Sequence, residues 1–201
     1  MFLSDTDIEK AVAAGEIKLE PFDVARLSPV SYDILLGNKF IVNDANQTHF
    51  IDPARSIFAV TREIEVPDDE HFVLHPGVSV LGISKEFFGS DHYLIQVGGK
   101  SSLARIGLMI HNTAGIINPG HFLNITFELC NLNNVPIILR PGMKIAQLTF
   151  SKISSPVQRN YRQVGRYAEN NWQNFTEEKK QKTAVVKRKK ASVAKKSKSK
   201  K

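Results

Sequence analysis

From Phe50 onward the chain repeats one pattern, a short apolar run closed by a turn built on proline, glycine or paired aspartates. FIDP, FAVTREIEVPDD, HFVLHPGVSVLGISKEFF and HYLIQVGG follow one another in this way. Short runs at regular spacing, with no helical periods alternating between them, predict an all-β barrel or sandwich rather than βα units. Upstream, Ser4 predicts the cap of a short helix, with Asp7 three residues on and Gly15 closing it. Ser31–Val42 (SYDILLGNKFIV) reads as a strand pair or as one bent strand, interrupted at Gly37-Asn38. KSSLARIG is the one helical interruption in mid-chain; LMIHNTAG and FLNITFELC read as strands around a bend, and VPIILRPGMKIAQLTF as a hairpin turning at Pro141-Gly142. The fold class is mainly β, with short N-terminal and mid-chain helices.

At 201 residues and 42% apolar content the chain suits one domain with a real core. Its net charge of +7 is not a property of that core. The last 23 residues carry 12 of the 27 Lys and Arg and none of the 20 Asp and Glu, so the part before Lys179 holds 15 basic against 20 acidic residues. A mildly acidic body argues against a nucleic-acid-binding core and leaves the low-complexity tail, 179–201, as a disordered attachment for nucleic acid or an acidic partner. One cysteine, Cys130, excludes an internal disulfide, and it and the six scattered histidines lack zinc-site spacing. No apolar run is long enough to span a bilayer and the start lacks a signal-peptide pattern, so a cytoplasmic soluble protein with no membrane attachment is expected. After Ser154 the patterning fades into the polar and aromatic QRNYRQVGRYAENNWQ, which suits a flap at about 155–178 folding over a ligand. The domain would then span 1–178.

Chemistry concentrates in Lys100–Asn131. Ser101 and Ser102 stand between the cations Lys100 and Arg105 at a turn entering a helix, a donor set suited to a polyphosphate; the bland alternative is a hydroxyl N-cap. TAGIINPG supplies a bend where Gly115 and Asn118-Pro119-Gly120 let backbone approach a ligand. In FLNITFELC, alternation puts Leu123, Ile125, Phe127 and Leu129 on one face and Asn124, Thr126, Glu128 and Cys130 on the other. Glu128 is therefore either a solvated strand residue or an acid/base group in a pocket.

Six strings in order, LSDTDI, SYDILLGNKF, KSSLAR, TAGIINPG, TFELCN and LRPGMKIAQLTF, resemble the dCTP deaminases of the trimeric dUTPase superfamily over roughly residues 1–170. The resemblance implies a dUTPase-like distorted β-barrel or jelly roll, a homotrimer with sites shared between subunits, and zinc-independent hydrolysis of dCTP to dUTP and ammonia in pyrimidine deoxynucleotide synthesis. It implies feedback inhibition by dTTP and a Mg²⁺ held through the substrate phosphates, with no protein metal ligands. Glu128 matches the family's catalytic glutamate, able to take a proton from water and deliver it to the base. Ser101 and Arg105 match the residues that bind phosphate and orient water, within a binding run Lys100, Ser101, Ser102, Leu103, Ala104 and Arg105. Lys100 stands where many relatives carry arginine and so loses the bidentate fork. Ala114 would wall the pyrimidine, and Thr126 and Phe127 would offer backbone groups to its edge. Gln147 matches a phosphate-contacting glutamine of dUTPases, while Tyr161, Arg166 and Asn170 align with flap positions that contact triphosphate and base. His111 reads first as a packed core residue.

Asn118 departs from the family, which usually has aspartate there against the sugar 3′-hydroxyl. An asparagine accepts a hydrogen bond but is no base, which weighs against hydrolysis of dUTP. TAG-x-I at Thr113–Ile117 instead resembles the bifunctional dCTP deaminase–dUTPases, which form dUMP and pyrophosphate. The chemistry of Asn118 favours dUTP as the end product, with the bifunctional enzyme and a non-enzymatic nucleotide-binding module as alternatives.

Overall fold

The computed structural model describes residues 1–165, 167 and 168. Three short helices, α1 (Asp5–Ala13), α2 (Ser101–Arg105) and α3 (Tyr161–Val164), interrupt twelve strands. The strands are β1 (Ile17–Glu20), β2 (Leu27–Ser28), β3 (Ser31–Asn43), β4 (Thr61–Glu65), β5 (Phe72–Leu74) and β6 (Ser79–Ser90). They continue as β7 (Tyr93–Gly99), β8 (Leu108–Met109), β9 (Ile116–Ile117), β10 (Leu123–Asn131), β11 (Ile137–Leu139) and β12 (Lys144–Lys152). Ten of them form one curled sheet along the path β8-β10-β6-β3-β12-β7-β9, with β1 against β6 and β2 and β4 against β3. The mainly β expectation holds. So does the first helix: Ser4 accepts from the Asp7 N–H at 3.3 Å, and Gly15 follows with a φ of +74°.

β3 is one bent strand, not a strand pair. Its first part pairs with β12 (Asp33 opposite Gln147, Tyr32 opposite Leu148), and its second with β6 and β4. The register on β6 shifts between Leu36 and Phe40, across the Gly37-Asn38 interruption, and that irregularity curls the sheet. Its inward side chains Tyr32, Ile34, Leu36 and Phe40 are fully buried, and Phe88, Phe127, Leu129, Leu148 and Phe150 meet them from neighbouring strands.

Two expectations need correction. The Pro141-Gly142 turn forms, with the Met143 N–H donating to the Arg140 carbonyl at 3.2 Å, but it joins no hairpin. β11 pairs with β5 in a separate two-stranded sheet, while β12 inserts between β3 and β7, because its buried Ile145, Leu148 and Phe150 complete the main core. Leu108–Gly115 is strand only at Leu108–Met109; the rest is a connection leading to β9. Of the expected flap, residues 155–165, 167 and 168 are described, including α3; Arg166 and the segment 169–201, which holds Asn170 and the Lys-rich tail, lie outside the described residues.

A buried ion pair ties β3, β6 and the segment before β2. The Arg26 guanidinium binds the Glu86 carboxylate, which is fully buried and accepts from the Leu35 N–H at 2.9 Å. Arg26 also donates to the Pro21 carbonyl at 2.7 Å and lies 4.8 Å from the Tyr32 ring centroid. Removing one partner strands the other charge in the core. Arg26→Ala is therefore expected to lower the unfolding free energy by about 3 kcal/mol in urea titration; a loss under about 1 kcal/mol would mean the pair adds little.

Candidate active site

β10 positions the central carboxylate. It pairs with β6 in a register that sets Phe127 opposite Gly82 and Glu128 opposite Leu81. Ile125, Phe127 and Leu129 are buried, so period-two alternation turns Thr126 and Glu128 away from that core. They line a cavity of about 640 Å³ whose wall also includes Ala114, Asn118 and Tyr161. Among the described lining residues Glu128 is the sole carboxylate, and it is half-buried. Its Oε2 accepts from the Asn112 N–H at 3.1 Å, which orients the group. Most of the rest of the wall is apolar, including Ile41, Phe58, Ile116, Ile117 and Ile125, as expected of a site that takes a small organic ligand and fixes it with a few polar groups. β8 covers β10 only at Cys130 and Asn131, so from Leu123 to Leu129 the second backbone edge has no strand on it among the described residues.

The bend closes one side of the cavity. The Gly115 carbonyl accepts from the Val97 N–H at 2.8 Å, and β9 pairs with β7. Asn118-Pro119-Gly120 then turns, with the His121 N–H donating to the Asn118 carbonyl at 3.0 Å and Gly120 at a φ of +85°. A Cβ on Gly120 would stand 2.9 Å from the Asn160 side chain, so glycine is needed there for space as well as for conformation.

The polyphosphate candidates sit elsewhere. None of Lys100, Ser101, Ser102, Leu103, Ala104 and Arg105 lines the Glu128 cavity; Ser101, Ser102, Ala104 and Arg105 are exposed, and Leu103 packs on the core. The hydroxyl N-cap reading fails: Lys100 holds the cap position, and no side chain caps α2. The Lys100 ammonium is bound to Asp33 at 2.5 Å, and Lys144 binds the other carboxylate oxygen at 3.3 Å. Asp33, 8% exposed at its side chain, is thus a clamp for two cations. Gln147 lies opposite Asp33 and Gly98 in the sheet, on this side and not in the cavity. Phe127 is wholly buried and presents only backbone. The His111 ring is half-buried against Gly115, and its Nδ1 is buried with no partner among the described residues.

Sequence reasoning missed His121 and Tyr167, which both line the cavity. His121 is 9% exposed and stacks on Tyr161. Burial pushes its imidazole pKa down, partly opposed by a hydrogen bond with the Tyr167 backbone. A ring immediately after the Asn-Pro-Gly turn was the available signal.

A curled β-sheet with a nucleotide-sized apolar cavity around one oriented carboxylate defines the class. A family model described as dCTP deaminase-like matches residues 2–153, and the chain belongs to that family. It is 47% identical over 163 residues to the dCTP deaminase, dUMP-forming, of Corynebacterium jeikeium, covering 80% of this chain and 86% of that one. With the dCTP deaminase, dUMP-forming, of Beutenbergia cavernae it shares 46% over 162 residues, 80% of this chain and 84% of that one. The crystal structure of 2′-deoxycytidine 5′-triphosphate deaminase from Agrobacterium tumefaciens aligns with a TM-score of 0.57 at 22% identity, covering 76% of this chain. That likeness is one of fold, and the alignment spans 48% of the Agrobacterium chain.

The Asp33 clamp yields a test of its own. Asp33→Ala leaves two ammonium groups without their shared acceptor and should cost about 2 kcal/mol of stability by denaturant titration. Lys144→Ala alone, removing the more exposed partner, should cost less than about 1 kcal/mol; equal losses would contradict the ranking.

Proposed function

We propose that this protein hydrolyses dCTP to dUMP, ammonia and pyrophosphate, consuming two waters, with Glu128 as the acid/base group of the deamination. The observation that carries the reading is the single oriented carboxylate in an apolar, nucleotide-sized cavity. In the first step Glu128 takes a proton from a water attacking C4 of the cytosine and passes it to N3; it then carries the remaining hydroxyl proton of the tetrahedral intermediate to the 4-amino group, so that the C4–N bond breaks, ammonia leaves and the C4 carbonyl forms. Ala114 leaves room beside the ring, and the open edge of β10 at Thr126 and Phe127 offers backbone groups to the base. Asn118 accepts from the sugar 3′-hydroxyl. Ser101, Ser102 and Arg105, with Gln147, bind phosphates, and Arg105 stabilises oxyanion character. Lys100, clamped by Asp33, contributes charge at that side more than direct contact. Tyr161, Arg166 and Asn170 complete the contacts from the C-terminal segment.

dUMP is the favoured product even with asparagine at position 118. The relatives at 46–47% identity carry dUMP-forming names and favour the bifunctional alternative over release of dUTP. An amide oxygen at 118 cannot deprotonate water, but it can orient one against the α-phosphate by accepting its hydrogen bond. Among the described residues no three His, Cys, Asp or Glu gather as a metal site; we take a Mg²⁺ to be brought by the triphosphate, as the resemblance to the family implies. Such an ion would neutralise phosphate charge when bound.

Because the residues of α2 do not line the cavity with Glu128, we take the working unit to be a homotrimer in which α2 of one copy completes the cavity of the next. dTTP, a pyrimidine triphosphate, is an expected inhibitor. The catalytic domain spans 1–178, the tail 179–201 serves an accessory electrostatic contact, and the setting is the cytoplasm. Among the described residues no helix is long and apolar enough to cross a membrane.

Purified protein given dCTP and Mg²⁺ should release ammonia and pyrophosphate in equal amounts, with dUMP as product. Accumulating dUTP without pyrophosphate would return Asn118 to the deciding role. Glu128→Gln should keep the fold and lower ammonia release by about 10³-fold; turnover within tenfold of the parent would remove Glu128 from the chemistry.

A further inference from the structure

The turn after Asn118 and the start of the C-terminal segment meet through contacts that the reaction above does not use. The Tyr161 N–H donates to the Pro119 carbonyl at 3.0 Å. The His121 and Tyr161 rings stack with centroids 4.0 Å apart and planes 19° from parallel. One residue on, the Arg162 guanidinium lies 4.7 Å from the Phe122 ring centroid and binds Asp91 at 3.1 Å. Two consecutive residues of each segment thus form two stacked rungs. The first rung lines the Glu128 cavity together with Tyr167, whose N–H approaches the Tyr161 hydroxyl at 3.4 Å.

We propose that His121 is a positioning residue which, by stacking on Tyr161, latches the segment beginning at Asn160 against the lip of the cavity and sets how firmly the cavity closes on its nucleotide. Phenylalanine or tryptophan at 121 could hold the same stack, but imidazole also makes it respond to pH. Among the described residues lining the cavity, the titratable groups besides His121 are Tyr161 and Tyr167 from the C-terminal segment and Glu128; nearby, Asp91 and Arg162 pair with each other. Burial disfavours the charged imidazole in the latched state. The unlatched ring, back in water, regains an ordinary pKa of about 6.5 and binds more protons. The latch is therefore fully engaged above that pH and weakens as pH falls towards the lower latched value.

The dCTP readout rests on the proposed activity, so the primary test avoids it. Amide hydrogen exchange at Tyr161, corrected for intrinsic rates, is followed from pH 8 to 5 in the full chain. Protection should fall below about pH 6.5 in the parent, be lost at all pH values in His121→Ala, and stay level in His121→Phe. Equal protection in parent and His121→Ala, or a pH dependence that persists in His121→Phe, would overturn the latch. In parallel, His121→Ala should raise KM for dCTP about three- to tenfold with a smaller change in kcat, rescued by His121→Phe. The γ-phosphate titrates in the same range, so the acid rise in KM is assigned to His121 only by the part that His121→Phe removes. Failure of dCTP turnover in the parent would sink the deaminase reading and leave the exchange result to judge the latch.

Discussion

Alternation along β10 is the constraint on which the site depends. Ile125, Phe127 and Leu129 fill the core between β10 and its neighbours, and a slip of one residue would carry all three to the other face. Burial of those side chains stabilises the register by several kcal/mol, and that register leaves Glu128 pointing into the cavity. The carboxylate therefore needs only a local restraint, the Asn112 N–H, to be oriented. The register shift between Asn124 and Thr126 falls just before this stretch and lets Ile125 donate its N–H to the Ser84 hydroxyl at 2.9 Å. Irregularity is confined to the beginning of the strand, and the half that carries Glu128 stays regular.

Much of this was legible before any coordinates. Period-two patterning in FLNITFELC gave both faces of β10, the Ser4 cap and Gly15 bounded α1, and the recurrent Pro/Gly turns gave a β fold. What local patterning misjudged were partners. The Pro141-Gly142 turn has the local chemistry of a hairpin, but β12 carries a larger apolar face than β11 and is drawn into the main sheet between β3 and β7. No turn rule contains that competition for core. The Asp33 clamp on Lys100 and Lys144 is likewise non-local, since it joins three strand ends far apart in sequence. His121 was missed because its stacking partner, Tyr161, lies forty residues away in the chain.

The site divides by charge. The cavity around Glu128 is mostly apolar and, among the described residues, holds one carboxylate, whereas the cations and hydroxyls of α2 are exposed outside it, with Lys100 and Lys144 organised by Asp33. An apolar chamber suits a pyrimidine and repels a bare triphosphate; an exposed cationic turn does the reverse. Bringing the two together across a subunit boundary would join both chemistries without burying unpaired charge in either chain. The proposed shared site would account for the incompleteness of each half.

Subunit complementation tests that arrangement most directly. Glu128→Gln and Arg105→Ala each disable one half, and the two variants are co-expressed with different tags so that mixed assemblies can be isolated. In a closed ring of three, each mixed trimer holds one site of three with both residues intact, so the isolated mixed assemblies should show about a third of parental activity. The shared-site account predicts that recovery. Mixed assemblies as inactive as either variant alone would show that Glu128 and Arg105 act within one chain, and would contradict it.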